Sequence, residues 1–582
     1  MSENLNINPV VLAQITKFSE ENEVNELSIS DKFEIYSIYS ILNGGLGEDV
    51  NCFDAHLKGD EFGIDGVSIL LQGELVCDHQ EAFEKLEVIK NPEIKFIFFQ
   101  SKIGSHYDWG DISRFFAGVM EFFESNTSPE SDQISDLIKA KNYIYDKGVS
   151  HKNPDISLYY ITTGNYQKPY RIESLIKDYQ DRFKNLSIFN SISIKMIGAS
   201  DLQKMYRSAS SSLISTIDYP NQLVMPDHKS IQEAYIGYIK AKEILNLISI
   251  KDDLGNISDI NKTVFFDNIR DYDEKSKINI SINNSLKNKE GGDFIFRNNG
   301  ITVVCKNIKR TRDSFTIEDY QIVNGCQTSN IIYYNKEIID DVYVPFRLIC
   351  SQDENFVSSI IYGTNRQNPV KEEQFWALRP FMKSFEEYCD SKDDQHRIFF
   401  ERRENQYRSK NIEKSRIIQP SALMKAVIST LLKHPNRSAR DYRAIISEYS
   451  GLLFQDDHSV GIYYASCYLH YRMEFLWRNQ KISSSSKIYR YYIMMAISIE
   501  CGAKNNILSA KKKEKDNYYR SMLKICDDED VLKGKIEEIE GFIENMPQIK
   551  TTTTREKLRD NIRSEQFAKI FEEEIIKNIE KV

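Results

Sequence analysis

The chain has 582 residues, 41% of them hydrophobic and 28% charged, with a formal net charge of −10. This composition fits a folded protein of about three or four domains and excludes a disordered or fibrous chain. An acidic whole argues against non-specific coating of nucleic acid, yet a basic groove on one domain remains compatible with it, because the local field governs contact. The opening MSENLNINPV lacks the basic run and apolar stretch of a secretory signal, and no run of about eighteen apolar residues follows, so a cytoplasmic protein with no membrane span is expected. Nine cysteines occur without a CxxC pair, which predicts free thiols rather than disulfides or a zinc site.

In chain order, residues 31–42 read as a helix ended by Gly44-Gly45. IDGVSILL (64–71) and KFIFFQSK (95–102) read as strands, with a short helix over 79–89 between them. A helix over 112–123 follows, with Asp111 as its expected cap. Then come a strand over 156–164, a helix over 173–183 and a strand over 191–199. This alternation predicts an α/β domain over residues 1–210. A second α/β domain is expected over 211–410. Its strands are DFIF (293–296), GITVVC (300–305), DYQIV (319–323) and VYVPFRLIC (342–350), and its helices lie at 328–334, 355–362 and 372–389. Residues 411–582 carry almost only helical pattern and end in a charged helix over 555–582. The expected class is therefore mixed α/β (α+β) with a helical C-terminal region.

Chemistry first enters at the two N-terminal strands. Phosphodiester hydrolysis needs a divalent metal, an attacking water and charge stabilisation on the phosphate. Asp65 opens one strand between glycines, and Gln100 and Lys102 close the next. A spacing of two places both on one sheet face, with Ser101 on the other. Glu34 falls on the apolar stripe of its helix, where a carboxylate needs a partner, and a metal ion would be one. The pattern resembles the Mrr-like branch of the PD-(D/E)XK nucleases, in which glutamine commonly replaces the acid. The resemblance covers roughly residues 25–200 and implies a restriction-endonuclease-like fold. It also implies Mg²⁺ or Mn²⁺ ligation by Asp65, Gln100 and Glu34, with Lys102 as the catalytic lysine. Asp60 and His106 are nearby groups without an assigned role.

The middle of the chain carries FRNNGITVV (296–304), YQIVNGCQTSNII (320–332), VPFRLI (344–349), TNRQNPV (364–370) and FFERRENQY (399–407), with FFDNIRDY (265–272) ahead of them. These segments resemble the AIPR family, named for abortive-infection phage resistance, many of whose members carry an Mrr-like nuclease domain in front. From the residues alone, Asn299-Gly300 reads as a hairpin turn. Asn324-Gly325 leads from a strand into a helix capped by Thr328 or Ser329. A glycine turn there can cradle phosphate, with Gln327, Thr328 and Arg366 as further donors, or it can be a plain structural turn. Residues 397–416 hold seven basic residues against three acids, interleaved with Phe399, Phe400 and Tyr407. Arg402, Arg403 and Arg408 are thus candidate nucleic-acid contacts or members of a solvated helix face.

These features lead us to expect a cytoplasmic anti-phage defence protein, a Mg²⁺-dependent endonuclease acting on DNA. A nucleotide or DNA end is its candidate effector and homo-oligomerisation a candidate state. The rival expectations are an RNA-cleaving abortive-infection effector and a non-catalytic nucleic-acid-binding or regulatory protein with a degenerate nuclease centre.

Overall fold

The computed structural model describes residues 7–580 other than 49, 59–60, 90–91, 125–131, 148, 150–151, 211, 252–254, 256, 266–290, 366–378, 403–405, 408–409, 439–441, 450 and 553–554. The N-terminal unit contains α1 (Pro9–Glu21), α2 (Ile29–Tyr39), α3 (Cys52–Ala55), β1 (Gly66–Leu71), β2 (Glu74–Val76), α4 (His79–Val88) and β3 (Ile94–Lys102). It continues through α5 (Trp109–Glu124), α6 (Asp132–Lys147), β4 (Asp155–Thr162), α7 (Tyr170–Asn185), β5 (Ser191–Ile197) and α8 (Ala199–Ser210). Its sheet runs β2-β1-β3-β4-β5, antiparallel across β1 and β3 and parallel from β3 to β5. Helices cover both faces, which is why β1 is buried throughout and why its apolar run is continuous rather than alternating. Along β3 successive side chains alternate faces. Phe96 and Phe98 pack with Phe115, Phe116 and Phe183, whereas Ile97 and Phe99 pack with Tyr36, Ile38 and Tyr206.

The sequence signals hold for β1, β3, β4 and β5 and for the helices α2, α4, α5 and α7, while β2, α1, α3, α6 and α8 were not expected. The cap of α5 is Asp108, whose Oδ1 accepts from Asp111 N at 3.0 Å, so Asp111 lies inside the first turn instead of capping it. Gly44 has a packing reason: a Cβ there would stand 1.8 Å from the Met205 carbonyl oxygen, so α8 can lie across this turn only if the position is glycine.

The central unit adds β6 (Ile214–Asp218), β7 (Asn221–Val224), β8 (Glu233–Lys240), α9 (Ala241–Ile248), β9 (Ser249–Lys251), β10 (Ile257–Ile260), β11 (Ile301–Cys305), β12 (Asn307–Thr311), β13 (Ser314–Glu318), β14 (Gln321–Asn324) and β15 (Tyr343–Cys350). One sheet runs β14-β11-β15-β8-β7 and a second runs β12-β13-β6. The expected strand DFIF is instead a helical turn, Phe294–Arg297, so Asn299-Gly300 does not close a hairpin. A four-residue apolar run fits either state by pattern, and Gly300 at φ +83° marks a loop entering β11.

The second glycine turn has a specific structural role. Gly325, at φ +101°, is the residue before the helix Cys326–Tyr334, and no side chain caps that helix. Thr328 and Ser329 therefore sit inside its first turn and do not cap it. A Cβ on Gly325 would meet the Gly300 carbonyl oxygen at 2.8 Å. Gly325→Ala combines a left-handed backbone with a backbone clash. It should cost at least about 2 kcal/mol, read as a lowered urea midpoint.

From Phe381 to Ile575 the chain forms one helical core around the buried helix Val460–Arg478. The final charged stretch is two helices, Arg555–Arg563 and Glu565–Ile579, broken at Ser564, whose side chain caps the second through Phe567 N. This helical unit docks on the N-terminal one through ion pairs. Arg559 reaches Asp136 at 2.6 Å and Asp78 at 3.4 Å, Arg416 reaches Glu23 at 2.9 Å, and Lys487 reaches Asp54 at 3.3 Å. Among the described residues no helix is long and apolar enough to cross a membrane.

Candidate functional site

The antiparallel register that pairs Gly66 with Phe99 brings Asp65 opposite Gln100, although 35 positions separate them in sequence. Asp65 N donates to the Phe99 carbonyl at 2.9 Å, and Asp65 Oδ2 accepts from Ser101 N at 2.6 Å. The carboxylate is thus locked by its own sheet and only 8% exposed. Gln100 and Lys102 continue the face of Phe96 and Phe98, which Asp65 shares with Val67 and Ile69. Gln100 is 2% exposed and its Oε1 is buried without a hydrogen-bond partner, an arrangement that costs free energy unless something occupies it. Lys102 is half-buried beyond it.

The neighbouring strand completes the wall. Gln100 pairs with Tyr160 and Lys102 with Thr162 on β4. Burial pushes the Tyr160 phenol up, and the charges of Asp111, Asp108 and Asp65 push it further. Asp108, just before α5, and Asp111, in its first turn, are the acids whose charges reach Tyr160; from sequence Asp111 was read only as a helix cap and Asp108 gave no signal. His106 is exposed in the preceding loop, and Asp60 lies outside the described residues.

Glu34 has hydrogen-bond partners of its own. Its carboxylate meets His56 Nε2 at 2.8 Å and accepts from Ser30 Oγ at 3.1 Å. Among the described residues, the metal-capable group containing Glu34 is Asp31, Glu34 and His56, with ligand atoms within 4.8 Å of one another. Glu34 therefore finds the partner its apolar stripe demanded in His56, a residue the sequence reading did not use.

The central turns are tied to each other. Asn298 Oδ1 accepts from Gly300 N at 2.8 Å and from Thr328 Oγ1 at 3.0 Å, so one side chain joins the NNG and NGCQT segments. The Thr328 hydroxyl is thereby spent internally and is not a spare donor for phosphate. Asn324 and Gly325 are half-buried and Gln327 is exposed, while Arg366 lies outside the described residues. The basic run is also largely internal. Arg402, 9% exposed, donates from Nε to Glu386 Oε2 at 2.6 Å, and Arg416 bridges to Glu23. Phe400 and Tyr407 are buried at 0% and 3% exposure and cannot stack on bases. Arg402 is thus a packing residue, not a backbone contact; Arg403 and Arg408 lie outside the described residues.

Fold and sites together describe a multidomain α+β protein with a cluster of buried and half-buried polar side chains at the end of an N-terminal mixed sheet. The chain belongs to the AIPR family, whose description reads "AIPR protein", with residues 265–581 matched. That match covers the central unit from residue 265 onward, beyond β10, together with the helical unit, and carries the antiviral, abortive-infection role for which the family is named. No curated protein and no solved structure matches the chain.

Proposed function

We propose that this AIPR protein defends against phage by cutting DNA with its N-terminal unit. The observation that carries the reading is the buried, unpartnered Gln100 Oε1 opposite the locked Asp65 carboxylate, with Lys102 two positions further along the same face. A carboxylate and an amide carbonyl are hard oxygen donors that fit Mg²⁺ or Mn²⁺, which keeps several water ligands and asks little more of the protein. Asp65 and Gln100 would hold the ion, and when bound it supplies Lewis acidity at the phosphate. The chain's own contributions are separate. Ser101 N fixes the rotamer of Asp65, and the Lys102 ammonium offsets negative charge building on the phosphate oxygens.

Supercoiled plasmid incubated with the full chain should be nicked in Mg²⁺ or Mn²⁺ and left intact in chelator. Total RNA under the same conditions should survive. Degraded RNA beside intact plasmid would replace this reading with an RNA-cleaving effector. Inertness toward both would leave a nucleic-acid-binding or regulatory protein with a degenerate centre.

A further inference from the structure

The seam between the N-terminal unit and the helical unit holds more positive charge than its pairing uses. Arg478 ends the helix Val460–Arg478, and Arg490 begins the helix Arg490–Glu500. Lys487 lies in the turn before Arg490 and reaches across to Asp54 in α3. Arg490 Nε stands 2.9 Å from Glu474 Oε1, so the one acid on this stretch of helix already has a close cation. Among the described residues Arg478 has no such ion-pair partner. Its Nε and Nη2 atoms are buried without a hydrogen bond, while the Phe53 ring of α3 stands 5.9 Å from the guanidinium carbon. Burial, only partly offset by Glu474 and Glu23, pulls the Arg478 guanidinium below its ordinary pKa.

Nε and Nη2 form the side edge of a guanidinium, which delivers two parallel N–H donors to one planar or tetrahedral oxyanion. A protein that buries this edge unmet incurs the desolvation of a charged donor pair with nothing in return. Lys487, Arg490 and Arg478 all lower the pKa of Glu474, to about 2, so the three cations share one field around that carboxylate. The concentration of donors suits a doubly charged anion better than a carboxylate side chain, which would have needed only one of them.

We propose that the Nε–Nη2 edge of Arg478, flanked by Arg490 and Lys487, receives a phosphate group at the seam between α3 and the helical unit. The phosphate can come from free inorganic phosphate or from the terminal phosphate of a nucleic acid. In both cases the ligand sits between two units that otherwise meet through ion pairs and hydrogen bonds. The site is independent of the Asp65 centre and of whether that centre cuts DNA.

The test uses the full chain and inorganic phosphate, followed by calorimetry and by thermal unfolding against chloride at matched ionic strength. The parent should bind phosphate at one seam site, and its midpoint should rise with phosphate concentration. Arg478→Lys keeps the charge but loses the bidentate edge and should weaken binding at least about tenfold. Arg478→Met should lose the phosphate response while melting no lower than the parent in chloride, because it removes an unmatched buried charge. A 5′-phosphorylated oligonucleotide that competes with phosphate, where its dephosphorylated form does not, identifies a nucleic-acid end as the source. Competition by neither strand identifies the free anion. A parent that binds no phosphate, or Lys and Met variants that bind as the parent does, would overturn the proposal. So would an Arg478→Met protein that melts far below the parent in chloride, since that arginine would be a structural one.

Discussion

Lys102→Ala should reduce the rate of metal-dependent plasmid nicking by about 100-fold or more and leave the thermal midpoint within about 1 °C of the parent. Lys102 is half-buried at the end of β3, on the face shared by Asp65 and Gln100. Its removal takes positive charge from the phosphate position without opening a packed core. Asp65 behaves differently because its carboxylate also accepts from Ser101 N at 2.6 Å. Asp65→Ala would leave that buried N–H unsatisfied and cost about 1–3 kcal/mol of stability in addition to activity. Asp65→Asn keeps an acceptor in place and separates the two effects. Gln100→Glu should retain or raise nicking, because a carboxylate is the stronger ligand. The readouts are nicking rate per enzyme and the melting curve of each variant. A Lys102→Ala protein that nicks at the parent rate would remove this centre from the mechanism.

Glu23→Ala should cost about 3–5 kcal/mol, the largest loss of stability expected from any single side chain of the seam. Glu23 accepts from Ser415 Oγ at 2.6 Å, from Arg416 Nε at 3.0 Å and Nη2 at 2.9 Å, and from Tyr471 Oη at 2.8 and 2.9 Å. Its backbone carbonyl accepts from Asn479 at 2.8 Å. Its side chain and that of Arg416 are each only 16% exposed, so the pair is sheltered from water and salt. Truncation strands the guanidinium and the phenol together. Burial alone would raise the Glu23 pKa. The hydrogen bond from Ser415, the Arg416 charge and the hydrogen bond from Tyr471 outweigh it and hold the carboxyl below 4.5. A depressed carboxyl contributes its stability fully above the unfolded value and loses it as pH falls through the folded one. The parent should therefore lose seam stability on acidification below about pH 4.5, and Glu23→Gln, already without the charge, should show less of that dependence. Hydrogen exchange of the helix Val460–Arg478 and of α1, followed against pH, measures it. A pH response of Glu23→Gln equal to the parent's would assign the acid sensitivity to other carboxylates.

The legible parts of this protein are those whose signal is local. The apolar runs of β1, β3 and β4 marked their own positions because a strand buried on both faces needs a continuous hydrophobic stretch, whereas the half-exposed edge strand β5 showed as alternation. Asp65, Gln100 and Lys102 were recognisable because polar groups ending such strands contradict their surroundings. The helical C-terminal unit followed from its periodicity. Two short patterns misled or stayed silent for a physical reason. DFIF satisfies strand and helix alike, and only its tertiary setting makes it a helical turn. The strands β6 to β10, β12 and β13 were not expected; of these β6, β7 and β12 are short and largely exposed.

Tertiary structure alone decided the partners. Glu34 was rightly flagged as a carboxylate in need of one, but His56 lies 22 positions away and reaches it through the loop that leads to β1. The basic run over 397–416 looks unbalanced because its acids lie elsewhere: Glu386 for Arg402, and Glu23, 393 positions distant, for Arg416. The unmet edge of Arg478 is the reverse case, a cation whose neighbours along the helix suggest nothing unusual and whose lack of a partner becomes visible only when α3 closes over it. A sequence determines which groups are charged, apolar or able to turn, because those are properties of single residues. Which charge meets which depends on chain closure over hundreds of residues, and only the fold fixes that.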